Sequence, residues 1–447
     1  MNYQTFLKKK SLRDKLSGFE PIWIPDFLFD FQKELTTWAI RKGRAALFED
    51  CGLGKTPQQL VWAENIRRKT KKNILILTPL AVSQQTVREG EKFEIEVRQT
   101  QTGKVYNGIN VTNYERIDNY NPDDFVGVVL DESSILKNFD GKTRKKLTDF
   151  AKNIDYILLC SATPAPNDYT ELGTSSEILD NMTHKQMLGM FFSHTCNTTQ
   201  QWEIKGHAKK KYWQWLSTWA RAIRRPSDIG FEDGDFLLPE LKLKNYLVKS
   251  KARSGMLYPI NAVTLNDQRA ERKATLEQRC EMIKQILPRD KFCLIWCNYN
   301  DEGNLLSKII PDAVQVQGSD KDKIKEQRLV DFTNGKIRVM VTKPSIAGWG
   351  LNWQHCSEMT FFPTHSYEQF YQAIRRCWRF GQKNQVTCSL ISSESEGRVR
   401  NNMLLKEIKA EKMFSGIIKE MREFQNPTKK KTVKTKLEVS LPSWLKK

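Results

Sequence analysis

Short apolar runs alternate with amphipathic stretches along the first third of the chain. Ala45–Phe48, Ile74–Thr78, Ile109–Thr112, Val126–Leu130 and Tyr156–Ser161 are compact apolar segments bounded by polar, Gly or Pro positions. Runs of that length read as strands buried on both faces. Between them, the stretches near 57–69, 83–93 and 140–151 carry helical patterning. Strand and helix in alternation predict a parallel sheet with helices on both faces. The rhythm fades over residues 181–270, where Trp and His cluster among basic runs such as Lys209-Lys210-Lys211 and Arg224-Arg225. It resumes with strands expected at Phe292–Cys297, Ala313–Val316, Arg338–Thr342, Glu358–Phe362 and Val386–Ile391. Helical stretches near 300–310, 320–333 and 366–378 separate them. The expected fold class is α/β, with parallel-sheet lobes at residues 1–180 and 271–397. An inserted Trp/Lys-rich segment at 181–270 lies between them, and a helical, lysine-rich basic tail at 398–447 follows. No internal repeat of short period is visible.

The segment Glu49-Asp50-Cys51-Gly52-Leu53-Gly54-Lys55-Thr56 lies between the first apolar run and the first helical stretch. Gly52 and Gly54 lack Cβ atoms, so the backbone there can turn sharply and aim N–H groups at anionic oxygens. A helix N-terminus adds positive partial charge. Lys55 can reach β- and γ-phosphates, and the Thr56 hydroxyl can ligate Mg²⁺. The strict eight-residue pattern wants Gly or Ala where Glu49 stands.

Asp131 and Glu132 follow directly on Val126–Leu130. The carboxyl end of a parallel strand is where open α/β sheets bind ligands. Mg²⁺ needs only one or two carboxylates, which suits Asp131, and Glu132 could orient or deprotonate an attacking water. Ser161, Ala162 and Thr163 close a third strand with small side chains, and hydroxyls there can bond the acidic pair. In the second half, Gln372–Arg379 reads as helical, which sets Arg376 and Arg379 on one face. Arginines projecting from one lobe onto phosphates held by another form the "finger" arrangement.

Charge changes the picture more than composition does. The 447 residues, 39% hydrophobic and 28% charged, fit a globular protein of two or three domains, while a formal charge of +20 favours a polyanionic partner. Nucleic acid comes before membrane, since no apolar run approaches a membrane span and Met1–Lys10 lacks a signal-peptide core. The nine cysteines form no Cys-x-x-Cys pair; their usage fits a reducing, cytoplasmic setting. Cys293 and Cys297 flank Leu294-Ile295-Trp296 and read as core packing rather than metal ligands. His194-Thr195-Cys196 and His355-Cys356 are too isolated to argue for zinc.

Taken in order, these segments resemble the superfamily 2 helicases and ATPases, most closely their Swi/Snf-like DNA translocases. Phe31-Gln32 resembles that family's adenine-reading glutamine segment. Asp50–Thr56 matches its Gly-Leu-Gly-Lys-Thr phosphate loop, Leu53 included. Leu77-Thr78-Pro79-Leu80 and Thr112-Asn113-Tyr114-Glu115 are similar to segments that contact the nucleic-acid backbone. Asp131-Glu132 with Lys137-Asn138 resembles the acidic motif and its trailer. Ser161-Ala162-Thr163-Pro164 with Asn167 is similar to the coupling motif. Ala347–Asn352, which includes Gly350, looks like the glycine-rich segment before the arginine motif, and Gln372, Arg376, Arg379, Gly381 and Gln382 match that last motif in register.

The resemblance spans roughly residues 27–180 and 280–392, and it implies two RecA-like lobes with ATP and Mg²⁺ in the cleft between them. Its site residues would be Gln32, Gly52–Thr56, Asp131, Glu132, Gly350, Gln372, Arg376 and Arg379. Thr78, Pro79, Asn113 and Tyr114 would contact nucleic acid. The activity implied is ATP hydrolysis coupled to tracking along duplex DNA. Strand separation on DNA or RNA is the neighbouring reading, and a nucleotide-switched binding protein without turnover is a reading of another class.

Ser133-Ser134 stand where the family usually carries Ala-His, and Arg375 and Trp378 replace its usual acid and histidine. The short segment between the lobes points to a compact prokaryotic or phage type. Trp202, Trp213, Trp215 and Trp219 could stack bases, but the one-turn spacing of Trp215 and Trp219 favours a buried helix face.

Overall fold

The computed structural model describes residues 16–79, 82–137, 141–194, 202–249, 265–347 and 352–425. Six strands of the first half are β1 (Arg44–Glu49), β2 (Asn73–Thr78), β3 (Val97–Gln99), β4 (Ile109–Asn113), β5 (Phe125–Asp131) and β6 (Tyr156–Cys160). With β9 (Ala220–Ile223) they form a parallel sheet in the order β3-β4-β2-β5-β6-β1-β9. Along β1, Ala46 and Phe48 face one core while Ala45 and Leu47 face another. Both faces are thus dry, which explains why these strands read as unbroken apolar runs. A small antiparallel pair, β7 (Phe192–His194) with β8 (Trp202–Ile204), lies outside this sheet.

The second sheet contains β10 (Leu241–Val248), β11 (Cys293–Trp296), β12 (Ala313–Gln315), β13 (Val339–Thr342), β14 (Glu358–Phe361) and β15 (Val386–Ser393). Its order is β10-β15-β14-β11-β13-β12, again parallel throughout. The fold is α/β with two parallel-sheet lobes, as expected. Cys293 and Cys297 are core residues of the second lobe. No group of three or more metal-ligating side chains occurs among the described residues.

The segment 181–270 differs from an insert between finished lobes, because it supplies an outer strand to each sheet. The reason it escaped sequence reading is local. β9 is four residues long and interrupted by Arg221. In β10, Leu241 and Leu243 are half-buried whereas Lys242 and Lys244 are exposed, so one face is wet and no apolar run appears. Trp215, on the helix Lys209–Ser217, and Trp219, in the turn just beyond it, are 2% and 0% exposed, and Trp219 packs edge-on against Phe48, so the burial holds but the expected single helix face is corrected. They are core, not surface for stacking bases.

The helix Gly397–Gln425 leaves the second lobe and returns across the first. Its Met413, Phe414, Ile417 and Ile418 are buried in the first lobe's core. Burying each contributes about 1.5–3 kcal/mol, so this helix straps the lobes together. A Cβ at Gly416 would lie 2.8 Å from the Trp213 ring, which accounts for glycine at the crossing. The backbone of the expected tail is helical up to Gln425, with packing on the first lobe at Met413–Ile418, and its lysine-rich remainder lies outside the described residues. No helix among the described residues is long and apolar enough to cross a membrane.

Candidate active site

β1 delivers the glycine loop to the carboxyl edge of the first sheet, and Gly54 caps the helix Lys55–Thr70 at φ 77°. Only glycine fits there comfortably: a Cβ would sit 2.3 Å from Gln32 Nε2. Gln32 Nε2 donates to the Leu53 carbonyl at 2.8 Å, while its Oε1 accepts from Phe29 N–H at 3.0 Å. Gln32 therefore grips the loop directly. Lys55 Nζ donates to the carbonyls of Glu49 (2.9 Å) and Asp50 (3.2 Å), which folds it back along the loop.

The acidic pair stands beside it. Gln59 Nε2 donates to Asp131 Oδ1 at 2.7 Å, and Ser161 Oγ donates to Glu132 Oε1 at 2.5 Å. Ser161 in turn accepts from Thr163 N–H at 3.0 Å, so the coupling segment touches the acid through one hydroxyl. Glu132 has φ 58°, a left-handed conformation unusual for a residue with a side chain. Burial raises both carboxyls above their usual range, with Lys55 opposing the shift. For Lys55 itself, burial pulls downward but the surrounding Cys51, Glu132, Glu49 and Asp131 raise it on balance. Glu49 is fully buried and pushed up to about 7 by desolvation, against Lys55 and the bond from Gln58.

The second lobe meets this loop directly. A Cβ at Gly52 (φ 93°) would lie 2.9 Å from Phe380 N and 3.5 Å from Arg379 Cβ. Arg376 and Arg379 thus come to the glycine loop, but not from a helical face. The helix Tyr367–Ile374 ends at Arg375, and the arginines lie on the turn beyond it. The expected helix through Arg379 is corrected on this point. Arg376 carbonyl accepts from Trp353 N–H at 2.8 Å, which bends the chain away from the helix axis. Burial lowers Arg376, and it lowers Arg379 to about 10 with Arg376 adding repulsion. Gln372 is buried in the same corner, its carbonyl accepting from Arg376 Nε at 3.2 Å. Gly350 lies outside the described residues, as do Leu80 and Asn138.

Thr78, Pro79, Asn113 and Tyr114 gather at the carboxyl ends of β2 and β4. Asn113 Nδ2 donates to the Pro79 carbonyl (3.2 Å), and Tyr114 OH donates to the Asp131 carbonyl (2.7 Å). Thr78, Asn113 and Tyr114 are buried. Several participants escaped sequence reading. Gln58 and Gln59 carried no signal beyond lying one turn past Lys55. Phe236 packs at a tilt on Phe380 (4.5 Å) and edge-on to Phe29 and Phe31 (5.0 Å each), an aromatic group assembled from three distant segments.

No family model matches the chain. Three curated relatives share the description SWI/SNF-related matrix-associated actin-dependent regulator of chromatin subfamily A-like protein 1 or its homolog. The Xenopus tropicalis protein is 26% identical over 159 residues, covering 33% of this chain and 17% of that protein. The Drosophila melanogaster protein is 28% identical over 215 residues, 44% and 27% respectively. The Caenorhabditis elegans protein is 27% identical over 169 residues, 34% and 24% respectively. By sequence, parts of the chain are similar to these Swi/Snf-related proteins. The Swi/Snf-like match spans less than a third of each relative's length. Among solved structures, the Sulfolobus solfataricus SWI2/SNF2 ATPase core in complex with dsDNA covers 91% of this chain and 98% of its own, at 17% identity and a TM-score of 0.42.

Proposed function

We propose that this chain is a DNA-stimulated ATPase that hydrolyses ATP to ADP and phosphate and translocates along duplex DNA. The observation that carries the reading is the contact of the Arg379-Phe380 turn with the glycine loop, since it builds one site from two lobes. A triphosphate fits the residues present. The loop turns through two left-handed glycines, and Gln372 Nε2 and Thr163 Oγ1 are buried with no hydrogen-bond partner. Thr56 and Asp131 would hold Mg²⁺, which when bound supplies charge neutralisation between the phosphates.

In this scheme the loop N–H groups and Lys55 bind the phosphates. Glu132, held by Ser161, orients the attacking water and takes its proton. Arg376 and Arg379 stabilise the developing charge, and their lowered proton affinity reflects a dry site in which such contacts are strong. Ser161 holds Glu132, and the adjoining Ala162 and Thr163 line a cavity that Tyr371 and Arg375 of the other lobe also line, which links the acid to the space between the lobes. Thr78, Pro79, Asn113 and Tyr114 shape the loops facing nucleic acid rather than reading bases. The +20 charge supports sequence-independent phosphate contacts. Burial of Trp215 and Trp219 weighs against a strand-separating wedge built from them.

The test is ATP hydrolysis with no nucleic acid, single-stranded DNA, duplex DNA and RNA, beside a Glu132→Gln control. Stimulation by duplex DNA that is lost in the control, followed by triplex displacement, is the expected result. Stimulation by single strands or RNA alone would favour a helicase. No turnover at all would leave a nucleotide-switched binding protein.

A further inference from the structure

Arg375 and Trp378 are the two positions where the arginine segment departs most from the Swi/Snf-like pattern, and the structure joins them into one unit. The Arg375 guanidinium lies 4.2 Å from the Trp378 ring centroid and 5.1 Å from that of Tyr371. Trp378 Nε1 donates to the Pro239 carbonyl at 2.6 Å, which fixes the ring against the segment between β9 and β10. Held in this aromatic slot, Arg375 Nη2 reaches across the lobes to Asp50 Oδ2, and Tyr371 OH donates to Asp50 Oδ1. Within the cluster Arg375 Nη2 also donates to Tyr371 OH (3.2 Å), Arg375 Nη1 to the Trp378 carbonyl (3.4 Å) and Cys51 N–H to Asp50 Oδ1 (2.6 Å). Asp50 is part of the phosphate loop itself.

We propose that Arg375 is a positioning residue that clamps the arginine turn onto the phosphate loop through Asp50, with Tyr371 as the second arm. The inference rests on the ATPase reading for its kinetic consequence, but not for its geometry. The side chains of Arg375 and Asp50 are 7% and 8% exposed, so their pairing is shielded from solvent and salt. Other contacts between the lobes, such as Lys137 with Glu368 or Lys406 with Asn167, are more open and do not touch the glycine loop. Arg375 is the immediate neighbour of Arg376 and precedes Arg379 by one turn of chain. Fixing its head group on Asp50 therefore fixes where those two arginines stand relative to Gly52. A guanidinium is needed because its planar fork can bond a carboxylate while lying flat on an indole, which an ammonium cannot do.

The experiment compares wild type, Arg375→Lys, Arg375→Gln and the matched pair Asp50→Asn with Arg375→Gln, in steady-state kinetics and in amide hydrogen exchange. A displacement of about 1 Å at a reacting group costs roughly a hundredfold, so kcat should fall roughly ten- to a hundredfold in Arg375→Gln while KM for ATP changes little. Arg375→Lys should fail to rescue. The matched pair should stay as slow as Arg375→Gln, because the clamp is missing even though no charge is left buried. Arg375→Gln should cost little extra in an Arg379→Ala background, since it acts through that residue. Full turnover in the matched pair would overturn the proposal and assign the effect to buried-charge damage. So would losses that simply add to those of Arg379→Ala. Hydrogen exchange judges the clamp without turnover: the amides of Asp50–Thr56 and Arg375–Gly381 should exchange faster in both Arg375→Gln and the matched pair. Unchanged exchange there would overturn the clamp even if the protein proves not to hydrolyse ATP. Faster exchange beside an inactive wild type would sustain the clamp and sink only the ATPase reading.

Discussion

Replacing Gly54 by Ala tests how the glutamine segment and the phosphate loop are joined. Gly54 has φ 77°, and a side chain in the left-handed region costs about 1–2 kcal/mol. The new Cβ would lie 2.3 Å from Gln32 Nε2, the far end of a flexible side chain. Gln32 must therefore swing away and give up its bond to the Leu53 carbonyl. Losing that bond adds about 1 kcal/mol, so Gly54→Ala should destabilise the first lobe by about 2–3 kcal/mol in total. Urea denaturation followed by tryptophan fluorescence measures the cost. In a Gln32→Ala background the clash and the bond are both already gone, and only the backbone part, about 1–2 kcal/mol, should remain. The reasoning is refuted if Gly54→Ala costs the same in both backgrounds, or less than about 0.5 kcal/mol in wild type.

Two further perturbations probe the neighbourhood. Glu49 sits at about 7 in the folded chain against an ordinary 4.5, so the folded state holds an extra proton between these values. Its contribution is fully present below the unfolded value and is lost as pH rises through about 7. Glu49→Gln should accordingly out-stabilise wild type near pH 8, by up to about 3 kcal/mol, and the gap should shrink towards pH 5 in urea titrations; equal gaps would contradict it. Trp219 is 0% exposed and wedged between Phe48 and Trp215, so Trp219→Ala should cost about 3–5 kcal/mol. A loss below about 1 kcal/mol in thermal or urea unfolding would show that the site collapses around the gap.

Local pattern determined much of this protein. Strands buried on both faces leave unbroken apolar runs, so the central strands of both sheets were legible, as was the glycine loop between β1 and its helix. Asp131 and Glu132 were legible because the acid pair closes an apolar run, where open α/β sheets bind ligands, and follows a phosphate loop at a workable distance. Tertiary structure decided what depends on pairing across distance. β9 and β10 joined the two sheets although neither carries a run, because edge strands need only one dry face. The arginine helix ended at Ile374 because a backbone bond from Trp353, distant in sequence, bends the chain there. The Asp50–Arg375 pair, separated by 325 positions, exists only because two lobes meet. Sequence spacing encodes a helix turn or a strand face, and it is silent about which surfaces come together once those elements are built.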